Sequence, residues 1–409
     1  MSFSGKNQLK KVSWRRNLFC IWLGQLLAMA GTSMVIPFMP IYLREVLGFA
    51  DEAERAWATS VFYSLGMFTF CLANPLWGAL GDRCGRKLML LRAYFVTGIT
   101  FPAMFFMPNF ALLLVMRTIA SMFSGTVAAA QALAAVTTPD KHQGFALGCL
   151  SAAFWSGNML GMLAGGMVVH YCGYMCAFLL CGGFFLFSGF LTLFFVQENF
   201  VPPVRNKVVR KSTFRLHLPD FSTAVWVLLA VMFALPLARR CDEPYLTFLV
   251  ELVGGLDKAA LNTSYVTAAA ALGGILSGAT FGHLSDRYKP LTLLLPALLL
   301  AGSFMLLQAL SRSLWMLCIA RFMVFFAAGG LEPIFLSMLS HTVKPELRGT
   351  AFGWSASFRM CGGMVGALLG GAVVAVGGTR SVFFAGAGLM FLFMFILVKA
   401  VHLVEAHKK

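Results

Sequence analysis

A chain of 409 residues that is 59% hydrophobic and only 12% charged, with a mean hydropathy of +0.79, is far too apolar to face water on all sides. Its formal net charge of +16 comes with no second basic module and no interleaved aromatics, a pattern that argues against a nucleic-acid partner. Lipid is the solvent for most of this chain, because runs of the roughly 20 apolar residues that a bilayer-crossing helix needs recur almost end to end.

The first run, 17–43, follows Lys10, Lys11, Arg15 and Arg16. It is too long for the hydrophobic region of a signal peptide and lacks a small-residue cleavage site, so it reads as a retained helix. Spans 57–80, 88–107, 110–136, 144–171 and 175–197 complete a first set of six. The stretch from Glu198 to Phe221 is the one long polar connection, carrying Pro202, Pro203, Arg205, Lys207, Arg210, Lys211 and Arg215. A second set is expected at 222–251, 261–284, 291–310, 314–340, 349–376 and 381–402. The predicted architecture is therefore all-α and integral to the membrane, with about twelve transmembrane helices. Two six-helix bundles, 1–197 and 222–409, are joined by the linker 198–221.

With the amino terminus inside, most of the 32 Lys and Arg fall on the cytoplasmic side, and both termini are cytoplasmic. Arg44, Arg55, Lys258, Arg312 and Arg380 fall outside. Basic residues in the linker suit anionic lipid headgroups. The ten cysteines lie scattered in apolar runs without metal-ligand spacing and read as small packing residues, the Cys172/Cys176 pair included. No metal site is expected, nor a catalytic constellation, so the chain reads as no enzyme.

A shift of about 204 residues superimposes the two sets. Gly78, Leu80, Asp82, Arg83, Arg117 and Gly125 fall on Gly282, Leu284, Asp286, Arg287, Arg321 and Gly329. One residue later in offset, Gly157, Gly161, Gly165 and Gly166 fall on Gly362, Gly366, Gly370 and Gly371. Six spans per copy make the two halves parallel duplicates.

Between the second and third spans lies Gly78-Ala79-Leu80-Gly81-Asp82-Arg83-Cys84-Gly85-Arg86-Lys87. Its glycines permit a tight interhelical turn, Asp82 can accept from helix amides or a cation, and the basic residues sit at headgroup level. This segment resembles the diagnostic loop of the major facilitator superfamily, and the second copy, 282–290, keeps Asp286 and Arg287 but loses the later glycine. The resemblance implies a major facilitator fold in which Asp82 helps lock the two halves on the cytoplasmic side.

Gly157, Gly161 and Gly165 share one face of the fifth span, a spacing that lets backbones approach closely. The segment resembles the family's antiporter motif, with Met162 where that motif has proline; by the family fold, its partner is expected to be the eleventh span. Together with Pro37, Pro40, Asn74-Pro75-Leu76-Trp77-Gly78 and Arg86 to Arg92, this makes the chain similar to the twelve-helix drug/proton antiporter group, most of all to MdtG-like multidrug exporters.

Charges inside spans are costly, about 2.5–3.5 kcal/mol each on an insertion scale, and point to function. Arg117, Ser121, Ser124, Ala128 and Gln131 form one stripe of the fourth span, suited to a wet cavity wall. Arg117 also resembles the family's fourth-helix arginine, whose roles in proton coupling and in helix bonding are equally open here. In Arg239-Arg240-Cys241-Asp242-Glu243, local spacing lets Arg239 reach Asp242 and Glu243, and Arg240 reach Glu243. This cluster reads as a substrate-path site or as a self-satisfied ion-pair network. Glu332 shares a helical face with Arg321 about three turns away, and reads either as a proton carrier or as a structural partner for an arginine.

No G-x-x-x-x-G-K-[ST] occurs, so ATP is not the energy source within this chain, and no cofactor is expected; a proton gradient is. The expected partners are a small-molecule substrate, protons and membrane lipid, with the monomer as the working unit in a bacterial inner membrane. The expected activity is proton-coupled efflux of drug-like or amphipathic compounds by alternating access. The alternative is carriage of one specific metabolite on the same fold.

Overall fold

A computed structural model describes residues 13–198, 221–285, 288, 290–329, 331–343 and 348–406. Asp286 and Arg287 of the second loop, and nearly all of the linker, lie outside the described residues. Among the described residues, eleven helical stretches are long and apolar enough to cross a bilayer. The longest of these, Gln143–Phe195, breaks at Gly173, whose φ of 81° is open to a residue without a side chain. Dividing it there gives twelve spans.

In chain order these are α1 (Trp14–Glu45), α2 (Glu52–Cys84), α3 (Arg86–Phe105), α4 (Phe110–Thr137), α5 (143–172) and α6 (174–195). The second set is α7 (Thr223–Gly254), α8 (Ala259–Ser285), α9 (Pro290–Ala309), α10 (Leu314–Gly329 continued by Leu331–Thr342), α11 (Arg348–Gly377) and α12 (Thr379–Ala406). The helices overrun the apolar cores read from sequence because capping residues extend them. Asp51 accepts from the Glu54 amide at 2.9 Å to start α2, and Asn109 accepts from the Leu112 amide at 2.9 Å to start α4.

Large apolar side chains stand exposed along these helices, among them Trp315, Phe395 and Phe194. In water such a surface would drive aggregation; against acyl chains it costs nothing. Buried side chains form two clusters, one drawn almost wholly from α1–α6 and one from α7–α12. The exceptions are informative: Ala56 joins the second cluster, and Ala259 and Ala260 join the first. All three lie at the end of the bundle that carries the α1–α2 and α7–α8 connections, termed here the far face. The opposite end, with the 78–87 loop, is the motif face.

The duplication is visible in how α1 and α7 break. Helix α1 passes through a 3-10 turn at Ile36–Phe38 containing Pro37, and α7 does so at Glu243–Tyr245 containing Pro244. Helix α4 also breaks, between Phe123 and Thr126 at Gly125. Interrupted helices leave backbone groups unpaired in mid-bundle, which transporters tolerate where the chain lines a cavity or packs against protein.

Candidate functional site

The break in α7 sets the chemistry of the second half. Because the helix ends at Arg240 and resumes as a 3-10 turn at Glu243, Asp242 turns away from its own helix toward α10. There its carboxylate accepts from Arg321 Nη1, and both side chains are almost fully buried. Gln308 Oε1 on α9 accepts a second bond from the same guanidinium at 3.2 Å, and Phe325 lies under it at 4.9 Å. A buried pair of this kind is stable only while both charges are present: removing one partner typically costs about 3–5 kcal/mol.

The local pairing expected around Arg239 is therefore only partly what forms. Arg239 stacks over Phe325 at 5.3 Å and donates to the Ala328 carbonyl at 3.5 Å. Arg240 faces Glu243 across 4.0 Å, and both side chains are more than two-fifths exposed. The cluster divides into a sealed Asp242–Arg321 pair and an accessible Arg240–Glu243 pair.

Across from it, Arg117 on α4 lies over Phe62 of α2 at 4.8 Å. A methyl group added at Gly66 would stand 2.5 Å from its Nη2, so the glycine makes room for the guanidinium. Its Nε has no hydrogen-bond partner, and among the described residues no carboxylate pairs with it. Tyr63 lies within electrostatic reach of both Arg117 and Glu243 and donates to the Ile36 carbonyl at 2.7 Å, at the α1 break. Of the α4 stripe, Ser121 is buried and Gln131 half-buried, but the helix break at Ser124 and Gly125 interrupts its register. The side chains of Asp82, Arg83 and Glu332 lie outside the described residues, as does the environment of Gly78; Glu332 is placed only as a member of the helix Leu331–Thr342.

The glycine face of α5 makes its close approach to α1, not to α11 as expected. Gly157 meets Leu26, Gly161 meets Ala30 and Gly165 meets Met34, in each case backbone against backbone. In the second half Gly362, Gly366 and Gly370 pack in the same way on Phe233, Leu237 and Cys241 of α7. The stripe thus seals each half internally, and only Gly166 and Gly371, at the far face, touch the other half through Ser264 and Ser60. Gly161→Leu is expected to force α5 off α1, lowering folded yield and melting temperature and abolishing transport, whereas Met162→Pro is tolerated; a fully active, normally melting Gly161→Leu protein contradicts this packing.

At the far face the two halves are tied by charge, which sequence reasoning missed. Glu251 of α7 is buried between Arg44 at 3.0 Å and Arg55 at 2.8 Å, both from the first half. Arg55 lies flat on Phe248 at 3.9 Å, and Arg44 also pairs with Glu45, which accepts from Tyr174. Glu52 accepts from the Thr379 amide at 2.7 Å and from its hydroxyl, capping α12 from the other half. Ser60, Tyr245 and the Ala367 carbonyl share a third set of bonds at 2.5–3.2 Å.

Residues 21–261 and 244–409 both match the profile of the Major Facilitator Superfamily. The chain belongs to this superfamily. The multidrug resistance protein MdtG of Salmonella paratyphi C (strain RKS4594) is 31% identical over 382 residues, 93% of this chain and 94% of that protein. A mutant form of the nucleoside transporter NupG has a TM-score of 0.79 at 12% identity, covering 94% of this chain and 99% of NupG. A bacterial homolog of the human lysosomal transporter Spinster, in an inward-facing and occupied conformation, has a TM-score of 0.71 at 15% identity and covers 95% of each chain. At such low identity the last two show the fold alone. This major facilitator protein is a multi-pass membrane transporter of a small molecule, not an enzyme.

Proposed function

We propose that the protein exports drug-like or amphipathic compounds in exchange for protons, by alternating access between the bundles 1–197 and 222–409. The observation that carries the reading is the Asp242–Arg321 pair: two charges buried at a helix break, beside an accessible Arg240–Glu243 pair and an Arg117 that has no carboxylate partner among the described residues. A proton arriving at a carboxylate in such a place cancels one charge and releases an arginine, which is the elementary event that couples protons to helix movement. Asp242, Glu243 and Glu332 are the candidate carriers, and Arg117, Gln131, Arg239 and Arg321 the polar surfaces that answer them. The likeness to MdtG over nearly the whole chain supports drug-like cargo.

The basic residues gathered near the 78–87 loop make the motif face cytoplasmic, with both termini inside a bacterial inner membrane. In this arrangement the far face is periplasmic and closed. The loop residues Gly78, Asp82, Arg83, Gly85, Arg86 and Lys87, with Asp286 and Arg287, act as the opposing cytoplasmic gate. The antiporter-like stripe Gly157, Gly161, Gly165 and Gly166 supports the exchange mode by keeping each half rigid. No cofactor enters; a monomer in its lipid works alone.

Counterflow into proteoliposomes, screened across dyes, antibiotics and metabolites, tests the cargo. Several chemically unrelated amphipaths are expected to exchange and to compete with one another. Exchange confined to one hydrophilic metabolite contradicts the export reading and leaves a dedicated carrier.

A further inference from the structure

Helix α3 opens at Arg86, directly after Gly85, whose φ of 94° makes the turn but which brings no side chain to cap the new helix. The first amides of a helix need acceptors and carry its positive dipole end. They find both in Glu198, more than a hundred residues away: one carboxylate oxygen accepts from the Arg86 amide at 3.0 Å and the other from the Lys87 amide at 2.8 Å. The exchange is reciprocal. Lys87 Nζ donates to the carbonyls of Leu193 and Val196 at 2.8 and 2.7 Å, so an ammonium sits on the negative end of α6.

Three further bonds fix the joint. Asn17 Nδ2 donates to the Gln197 carbonyl at 2.7 Å and Asn17 Oδ1 accepts from the Gln197 amide at 3.1 Å, tying in α1. Arg86 Nη1 donates to the Ala132 carbonyl on α4 at 3.3 Å. The residue after Glu198 begins the connection between the halves.

We infer that Glu198 is a positioning residue for the gating loop: its carboxylate holds the Gly85 turn, and with it Asp82, against the end of α6 from which the interhalf connection departs. This rests on the reading of 78–87 as a gate. A carboxylate spanning two amides fixes the start of α3 in position and direction, so the loop moves with the first half as one body rather than hinging at Gly85. Glutamine in its place keeps the size but loses the charge and one of the two acceptors. The loop should then loosen at Gly85 while the twelve-helix packing stays, because the bonds are at a helix end and not in either core.

The test is a spin-label distance in the detergent-solubilised full chain, between Cys84 in the loop and Tyr288→Cys in the second half, both exposed, with the other nine cysteines replaced. Glu198→Gln is expected to shift or broaden the distribution with a melting temperature near that of the parent. Lys87→Met, which removes the other half of the exchange, should do the same, and the double variant should add little. Glu198→Asp should fall between parent and Gln. An unchanged distribution in Glu198→Gln overturns the inference, as does a change that only accompanies loss of folded protein. Asp82→Asn serves as the control for the gate itself: if it alters neither this distribution nor ethidium flux, the reading of the loop fails and the inference goes with it. If Asp82→Asn acts while Glu198→Gln does not, only the inference fails.

Discussion

Replacing Asp242 with asparagine is expected to lower the yield of folded protein sharply and to abolish gradient-driven transport in what remains. The variant leaves Arg321 buried without a counter-charge among the described residues, held by neutral acceptors such as Gln308 and by the face of Phe325. The cost should approach the 3–5 kcal/mol typical of breaking a buried pair. Asp242→Asn combined with Arg321→Gln removes both charges and should recover folded yield, since a neutral pair can hydrogen-bond without an orphaned ion. If the pair is the proton-linked element, the double variant folds but stays blind to a pH gradient. If it is only structural, the double variant recovers pH-driven flux along with yield. Yield by fluorescence-detected chromatography, with flux per folded molecule, separates the two.

Glu251→Gln is expected to open the far face. Arg44 and Arg55 then confront each other without the carboxylate that holds both, while the Glu52–Thr379 cap, the Ser60–Tyr245 contact and the packing of Gly166 on Ser264 still join the halves there. A loss of about 1.4 kcal/mol already shifts a two-state equilibrium tenfold. The charge-assisted bond from Arg55, at roughly 1.5–3 kcal/mol, is ample for that, with the Arg44 ion pair beside it. Ser60→Cys in a chain otherwise free of cysteine reports the change, because Ser60 is sealed between the halves. Its labelling by a membrane-impermeant thiol reagent from the far side should rise at least about tenfold in Glu251→Gln. Equal labelling rates would show that the three charges decorate a face held shut by packing.

Most of the architecture was legible in the sequence because a bilayer leaves so few options: apolar length gives the spans, and the repeat gives the two halves. What could not be read is which charge meets which. Pairing Arg239 with Asp242 assumed a continuous helix, and the 3-10 turn at Glu243–Tyr245 swings Asp242 to α10 instead. Pro244 was the available signal, matching Pro37 at the break of α1. Arg44 and Arg55 looked like residues at span ends that serve only topology. Their partner Glu251 sits on another half, at a sequence distance no local spacing rule reaches. The glycine stripe was correctly read as a close contact but assigned the wrong neighbour, since spacing defines a face without saying what covers it.

The central claim is that a proton gradient drives export through this chain. Purified protein in liposomes of known orientation, loaded with a compound that passes the counterflow screen, is given a pH step with membrane potential clamped. The account predicts movement of the compound against its own gradient, toward the compartment that supplies protons, with a matching proton flux in the opposite direction. Equilibration of the compound to equal concentrations, unaffected by the pH step, would contradict it.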